Sequence, residues 1–172
     1  GVVLGGVDFY PNKKLRSITN VTRTFYDRWD ENKYRHYLSL FALDETKKVS
    51  QLSSGMRVKY MLALALSHDA RLLILDEPTS GLDPVSRDEL MELFRGVVQS
   101  GERSILFSTH ITSDLEKCAS HITMIKDGEI LHSDTCAGFL AHYRAQLGDE
   151  TLSLEDILVR VERRSYDGKD FL

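Results

Sequence analysis

Two carboxylates stand side by side at Asp76-Glu77, after the apolar run Leu72-Leu73-Ile74-Leu75 and before Pro78. At the end of a buried strand such a pair is costly unless positive charge meets it. A hydrated Mg2+ carried by a nucleotide would meet Asp76. Glu77 would then be poised to activate a water for attack on a phosphate. The plain alternative is a pair that caps the next turn. Thr109-His110 follows a second apolar stretch, Ser104 to Ser108. A histidine one step beyond a strand end can reach the same crevice and hydrogen-bond a γ-phosphate or the attacking water. Capping a helix is its ordinary use. Leu52-Ser53-Ser54-Gly55-Met56 opens a long helical pattern. Small residues at a helix start leave N–H groups open, and the helix dipole favours an anion there. A simple serine cap is the competing reading. Ser80-Gly81-Leu82-Asp83 turns into the next helix, with Asp83 as N-cap and Pro84 at the first helical position.

The elements that must position these residues follow from periodicity. Ile18, Val21 and Phe25 have the spacing of a first helix; Tyr34, Tyr37, Leu38 and Phe41 have that of a second, capped by Asp30. These aromatic residues are expected to form the core of a small helical subdomain. A long helix over 54–68 buries Val58, Met61, Leu62, Ala65 and Leu66. Leu72 to Leu75 is expected to be a strand buried on both faces, and Ser104 to Ser108 the next buried strand. Between them Leu90, Leu93, Phe94, Val97 and Val98 carry a helix that Gly101 ends. A short helix is expected over 110–118. Asp127-Gly128 is the strongest hairpin signal, joining Ile122 to Ile125 with Glu129 to His132. Helices over 135–147 and 154–164 close the chain, the second capped by Ser153 with Asp156 in capping-box spacing. Alternating strands and helices predict an α/β fold with a largely parallel sheet. Ligands of such sheets sit outside the carboxyl ends of the strands, which is where Asp76 and His110 fall.

Bulk composition agrees with a folded domain. The chain has 172 residues, 42% hydrophobic and 28% charged, with a formal net charge of −4. A chain of this length can bury roughly 70% of its unfolded surface. Two cysteines, Cys118 and Cys136, are too few for a disulfide framework. No apolar run approaches the ~18 residues a membrane span needs. The mild acidity argues against nucleic acid as the main partner.

The order and spacing of the motifs say more than each motif alone. Leu-Ser-Ser-Gly-Met, a helix, then Leu-Leu-Ile-Leu-Asp-Glu-Pro-Thr-Ser-Gly-Leu-Asp-Pro, then Ser-Thr-His closely resembles the ATP-binding cassette (ABC) ATPase family. There these segments are the signature motif, Walker B with its catalytic glutamate, the D-loop and the switch histidine. The resemblance implies a P-loop NTPase-like fold with a helical subdomain. It divides the chain into a strand and loop at 1–14, the helical subdomain at 15–52, the ATPase core at 53–147 and a helical extension at 148–172. It implies ATP and Mg2+ as cofactors, with Asp76 holding Mg2+ through water and Glu77 as general base. His110 would contact the γ-phosphate. Ser53, Ser54 and Gly55 would contact the γ-phosphate of an ATP held by a second, head-to-tail ATPase subunit, and Asp83 would communicate across that interface. The subgroup resembled is the bacterial single-cassette subunit that pairs with a separate membrane permease. The implied location is cytoplasmic, on the inner face of the cell membrane. Phe9, Tyr10 and Arg23 to Trp29 would face the permease.

The sequence also departs from the family. No G-x-x-x-x-G-K-[ST] phosphate loop is present: only Lys169 follows a glycine, and Asp170 comes next. The chain opens Gly1-Val2-Val3-Leu4. The expectation is the C-terminal two-thirds of a cassette that lacks the Walker A part, inactive by itself, with one side of the central sheet open. A naturally truncated, non-hydrolysing relative is the competing explanation. The signature reads Ser-Ser-Gly-Met where the family has Ser-Gly-Gly-Gln. The loop glutamine of the family would fall near Gly5 or Gly6, where there is none, with Asp8 a weak substitute. Two other functions stay open: an ABC-type ATPase outside transport, and a silent module that donates its signature motif to an intact partner.

Overall fold

The computed structural model describes residues 1–4 and 10–162, with the side chain of Leu4 excepted. The chain divides into two compact units, Gly1–His110 and Ile111–Leu172. This boundary falls inside the expected 53–147 stretch. Phe9, the loop positions Gly5, Gly6 and Asp8, and the end of the last expected helix lie outside the described residues.

The first unit holds a parallel sheet. Strands β1 (Val2–Leu4), β2 (Leu72–Asp76) and β3 (Ser104–Ser108) lie in that spatial order. The first connection carries helices α1 (Leu15–Thr22), α2 (Glu31–Leu40) and α3 (Ser54–Ser67), and the second carries α4 (Pro84–Val98). Side-chain caps set where these helices start. The Asp30 carboxylate accepts from the N–H groups of Asn32 and Lys33 at 2.9 and 3.0 Å. Ser53 Oγ accepts from Met56 N–H at 3.2 Å. Asp83 caps α4 with Pro84 at its first position. Each cap satisfies N–H groups that a helix start leaves without partners.

The strands are less enclosed than their composition suggests. Leu73 and Leu75 are buried, whereas Leu72 and Ile74 are 47% and 42% exposed. The exposed row continues across the sheet through Val2 and Leu106. The expectation of strands buried on both faces is corrected: the helices of this unit cover one face. A continuous apolar run therefore reads as an alternating strand here, because no helix of this unit packs on the other side.

The helical subdomain has its own core, built from Leu15, Tyr34, Leu38, Phe41, Leu43, Val49, Leu52, Tyr60 and Ala63. The aromatic residues of α2 are core residues, as expected. The first helix is corrected. It ends at Thr22, a 3-10 turn follows over Arg23–Phe25, and Val21 and Phe25 are 60% and 77% exposed. Its inward positions are Leu15 and Thr19 instead. Thr19 is held there because its hydroxyl lies 2.7 Å from Tyr34 Oη and 2.9 Å from Tyr60 Oη. Tyr60 Oη also donates to the Leu15 carbonyl at 3.0 Å. On α3, Tyr60 and Ala63 are buried, whereas Val58 and Met61 are only half-buried.

The second unit contains α5 (Thr112–Cys118), β4 (His121–Lys126), β5 (Glu129–Thr135), α6 (Cys136–Leu147) and α7 (Leu154–Glu162). The strands pair antiparallel across Asp127-Gly128, whose φ angles of 52° and 83° are those of a tight hairpin turn. Ile122 and Met124 pack on Phe139, Tyr143, Leu152, Leu154 and Ile157. Ser153 and Asp156 form the expected capping box, with reciprocal bonds of 2.9 and 3.1 Å.

The buried tyrosines make the first unit alkali-sensitive. Burial pushes the Tyr60 phenol up to about 12 from 10.0, and Tyr34 further up. A raised folded value means that the folded state keeps protons which the unfolded state loses. Stability is therefore full below pH 10 and declines as pH rises toward 12. Urea unfolding followed by the fluorescence of Trp29, the single tryptophan, will show that decline. Tyr60→Phe will reduce its slope and cost about 1 kcal/mol at neutral pH.

Candidate functional site

The parallel register sets Asp76 directly opposite Ser108 at the carboxyl ends of β2 and β3. Ser108 Oγ donates to Asp76 Oδ1 at 2.6 Å and accepts from the Glu77 N–H at 2.9 Å. One hydroxyl thus bridges both members of the carboxylate pair. Glu77 has φ +45°, the left-handed region. For a non-glycine residue that conformation costs of order 1–3 kcal/mol and clusters at functional sites. The bond to Ser108 holds it there.

This backbone twist turns the Glu77 side chain toward His110. Glu77 Oε1 lies 2.9 Å from His110 Nδ1. A carboxylate oxygen accepts, so Nδ1 is the donor of this bond and Nε2 is the ring nitrogen left for another partner. The histidine side chain is 69% exposed and the glutamate 33%, so the ring is the open end of the pair. Glu77 Oε2 is shielded from solvent and has no hydrogen-bond partner among the described residues. A buried carboxylate oxygen without a partner is a standing penalty that a bound water or ligand relieves.

A second cluster forms where α3 and α4 begin. Ser53 uses an oxygen lone pair for its cap, and the cap itself does not engage the hydroxyl proton. Ser54 Oγ donates to the Gly81 carbonyl at 3.3 Å. Gly55 is buried, in contact range of Ser86 and Leu82. Asp83 Oδ1 accepts from the N–H groups of Val85 and Ser86 at 3.1 and 3.0 Å, and its Oδ2 accepts from Ser86 Oγ at 2.6 Å. The Ser86 hydroxyl and these N–H groups hold the Asp83 carboxyl below its ordinary value of 3.8. The cap is therefore ionised above that pH, and its contribution is lost as pH falls through the lowered value.

The seven singled-out residues thus fall into two groups. Asp76, Glu77 and His110 meet at the strand ends; Ser53, Ser54, Gly55 and Asp83 meet at the helix starts. Two tight turns join the groups, Ser80 N–H to Glu77 O and Leu82 N–H to Thr79 O, both 3.1 Å. Ser108 was missed in the sequence. The signal that could have found it is register: equal strands ending at Asp76 and Ser108 place the two opposite. Met56, which stands where the family signature has glutamine, packs against the core of the helical subdomain.

Residues 8–113 match the family described as "AAA domain, putative AbiEii toxin, Type IV TA system". The bacitracin transport ATP-binding protein of Bacillus licheniformis is 34% identical over 125 residues, 72% of this chain and 41% of that protein. An ABC transporter ATP-binding protein of Bacillus subtilis (strain 168) is 28% identical over 122 residues, 71% of this chain and 42% of that protein. The chain belongs to the ABC ATPases. It spans about two fifths of the length of these curated relatives. The fold of this ABC chain agrees with that of a solved ATP-binding subunit of an ABC transporter, at TM-score 0.73 and 24% identity. That match covers 94% of this chain and 68% of the other. The expected α/β ATPase fold is thereby borne out.

The Ser108 bridge makes a direct prediction for the ABC chain. Ser108→Ala removes the acceptor of the Glu77 N–H, and amide hydrogen exchange at Glu77 will accelerate about tenfold. Exchange at the wild-type rate would show that the left-handed turn is held by other contacts.

Proposed function

We propose that this chain is the water-activating and partner-sensing part of the nucleotide-binding subunit of an ABC transporter, coupling ATP binding and hydrolysis to a membrane permease. The observation that carries the reading is the Glu77–His110 pair beside Asp76 at the strand ends. The names of the relatives supply the transport context, and no helix of the described residues is long and apolar enough to cross a membrane. A permease on another polypeptide, or another part of this one, would complete the transporter. The subunit would then lie at the cytoplasmic face of the cell membrane.

Glu77 is the general base. Its Oε1 is occupied by His110, and the sheltered Oε2 is the oxygen left to accept a proton from the attacking water. His110 orients the carboxylate through Nδ1 and presents Nε2 to the γ-phosphate. Asp76 keeps Oδ2 for a water of Mg2+ while Ser108 holds Oδ1. The donor set fits an ion brought by a nucleotide: Ser108 holds one oxygen of Asp76, and the other is a hard anionic acceptor for a water of that ion. Mg2+, when bound, neutralises charge on the phosphate oxygens. Across a head-to-tail dimer, Ser53 donates its hydroxyl proton to the γ-phosphate of ATP on the second subunit. Ser54 and Gly55 offer backbone N–H groups at the start of α3, and Asp83 holds the adjoining turn at the interface.

The test is steady-state hydrolysis of Mg-ATP by the full-length gene product. Glu77→Gln will lower turnover by at least about a hundredfold, while ATP-driven dimers persist longer on a sizing column. Wild-type turnover in that variant would remove Glu77 as the base. The 172 residues alone will hydrolyse no ATP, because they hold no G-x-x-x-x-G-K-[ST] loop to grip the β- and γ-phosphates. Turnover by the purified chain would contradict that.

A further inference from the structure

The Ser54 hydroxyl is directed sideways, into the turn that precedes α4. Its bond to the Gly81 carbonyl crosses 27 residues of sequence and joins the start of α3 to the turn leading into α4. Neighbouring contacts hold the two helix starts in place. Gly55 lies beside α4: a Cβ built there would meet Ser86 Cβ and Oγ at 3.4 Å, an ordinary van der Waals distance. Lys59 Nζ pairs with Glu89 Oε2 at 2.6 Å, further along α3 and α4. Gly81 has φ +70°, and the turns Ser80 N–H to Glu77 O and Leu82 N–H to Thr79 O fix the direction of its carbonyl. Two turn bonds of 3.1 Å and the 3.3 Å bond from Ser54 thus tie the segment after Glu77 to the start of α3.

We infer that Ser54 is a positioning residue, whose hydroxyl locks the phosphate-facing start of α3 to the Ser80–Asp83 turn so that the two reach a second subunit's nucleotide as one surface. The inference rests on the functional reading above. The hydroxyl proton is committed to Gly81, so Ser54 meets phosphate only through its backbone N–H. Its side chain acts before binding, by removing the freedom of one loop relative to the other. Pre-organisation of this kind strengthens binding without adding a contact to the ligand. Met56 supports the same division of labour: it anchors the other side of the helix start in the subdomain core.

The inference is tested in the full-length gene product by ATP titration of the hydrolysis rate. Ser54→Ala will raise KM for ATP about threefold and leave kcat within about twofold. Ser54→Thr, which keeps the hydroxyl, will restore KM. A simple loss of folded protein would lower kcat and leave KM unchanged. Independently of turnover, amide exchange at Leu82 and Asp83 in this chain will quicken about threefold in Ser54→Ala and return to normal in Ser54→Thr. Unchanged exchange, an unchanged KM in Ser54→Ala, or a raised KM that Ser54→Thr does not relieve would each overturn the inference. Glu77→Gln run alongside separates the two readings. If it is silent while Ser54→Ala titrates as wild type, only the role of Ser54 falls. If it turns over normally, the functional reading falls and the exchange measurement still decides the tie.

Discussion

Asp76 lies opposite Ser108 in a parallel pair, and everything at the strand ends depends on that register. The Ser108 hydroxyl donates to one carboxylate and accepts the amide of the next residue. It thereby holds Glu77 in a left-handed conformation that an L-residue rarely takes. That twist aims the Glu77 side chain along the rim to His110, instead of onward with the strand. A slip of one residue in β3 would put Phe107 opposite Asp76 and send Ser108 to the other face. The bridge would then have no donor, and the carboxylate pair no reason to diverge.

The helix starts make a complementary surface by simpler means. Ser53 and Asp83 cap α3 and α4 with side-chain oxygens, and Gly55 lies beside Ser86 of α4. Caps are local and cheap to specify, so they tolerate the departures from the family motif. Ser54 and Met56 replace a glycine and a glutamine of the family signature, yet each finds a partner, one in the Gly81 turn and one in the subdomain core. The variation thus changes how the loop is held while leaving its backbone N–H groups at a helix start.

What was legible in the sequence was mostly local. Asp30, Ser53, Asp83 and Ser153 are caps because their oxygens meet N–H groups two or three residues away. Asp127-Gly128 is a hairpin because few other pairs adopt those angles. The order of the motifs carried the family. What was not legible depends on partners distant in sequence. His110 meets Glu77 across 33 residues and Ser108 meets Asp76 across 32. The stripe of α1 was misread because Thr19, a polar residue, faces inward to two tyrosine hydroxyls, and hydrophobic periodicity does not see such a network. The apolar run of β2 was read as doubly buried because composition records affinity for a core, not which face a helix covers.

The central claim is that Glu77 and His110 act as one device, the histidine holding the carboxylate that takes the proton. A double-mutant cycle on turnover in the full-length gene product tests it most directly. Groups that act as a unit lose nearly all of their effect when either is removed. The double variant Glu77→Gln with His110→Ala should therefore be no slower than the slower of the two single variants. Losses that multiply in the double variant would mean that the two residues act independently, and would contradict the account.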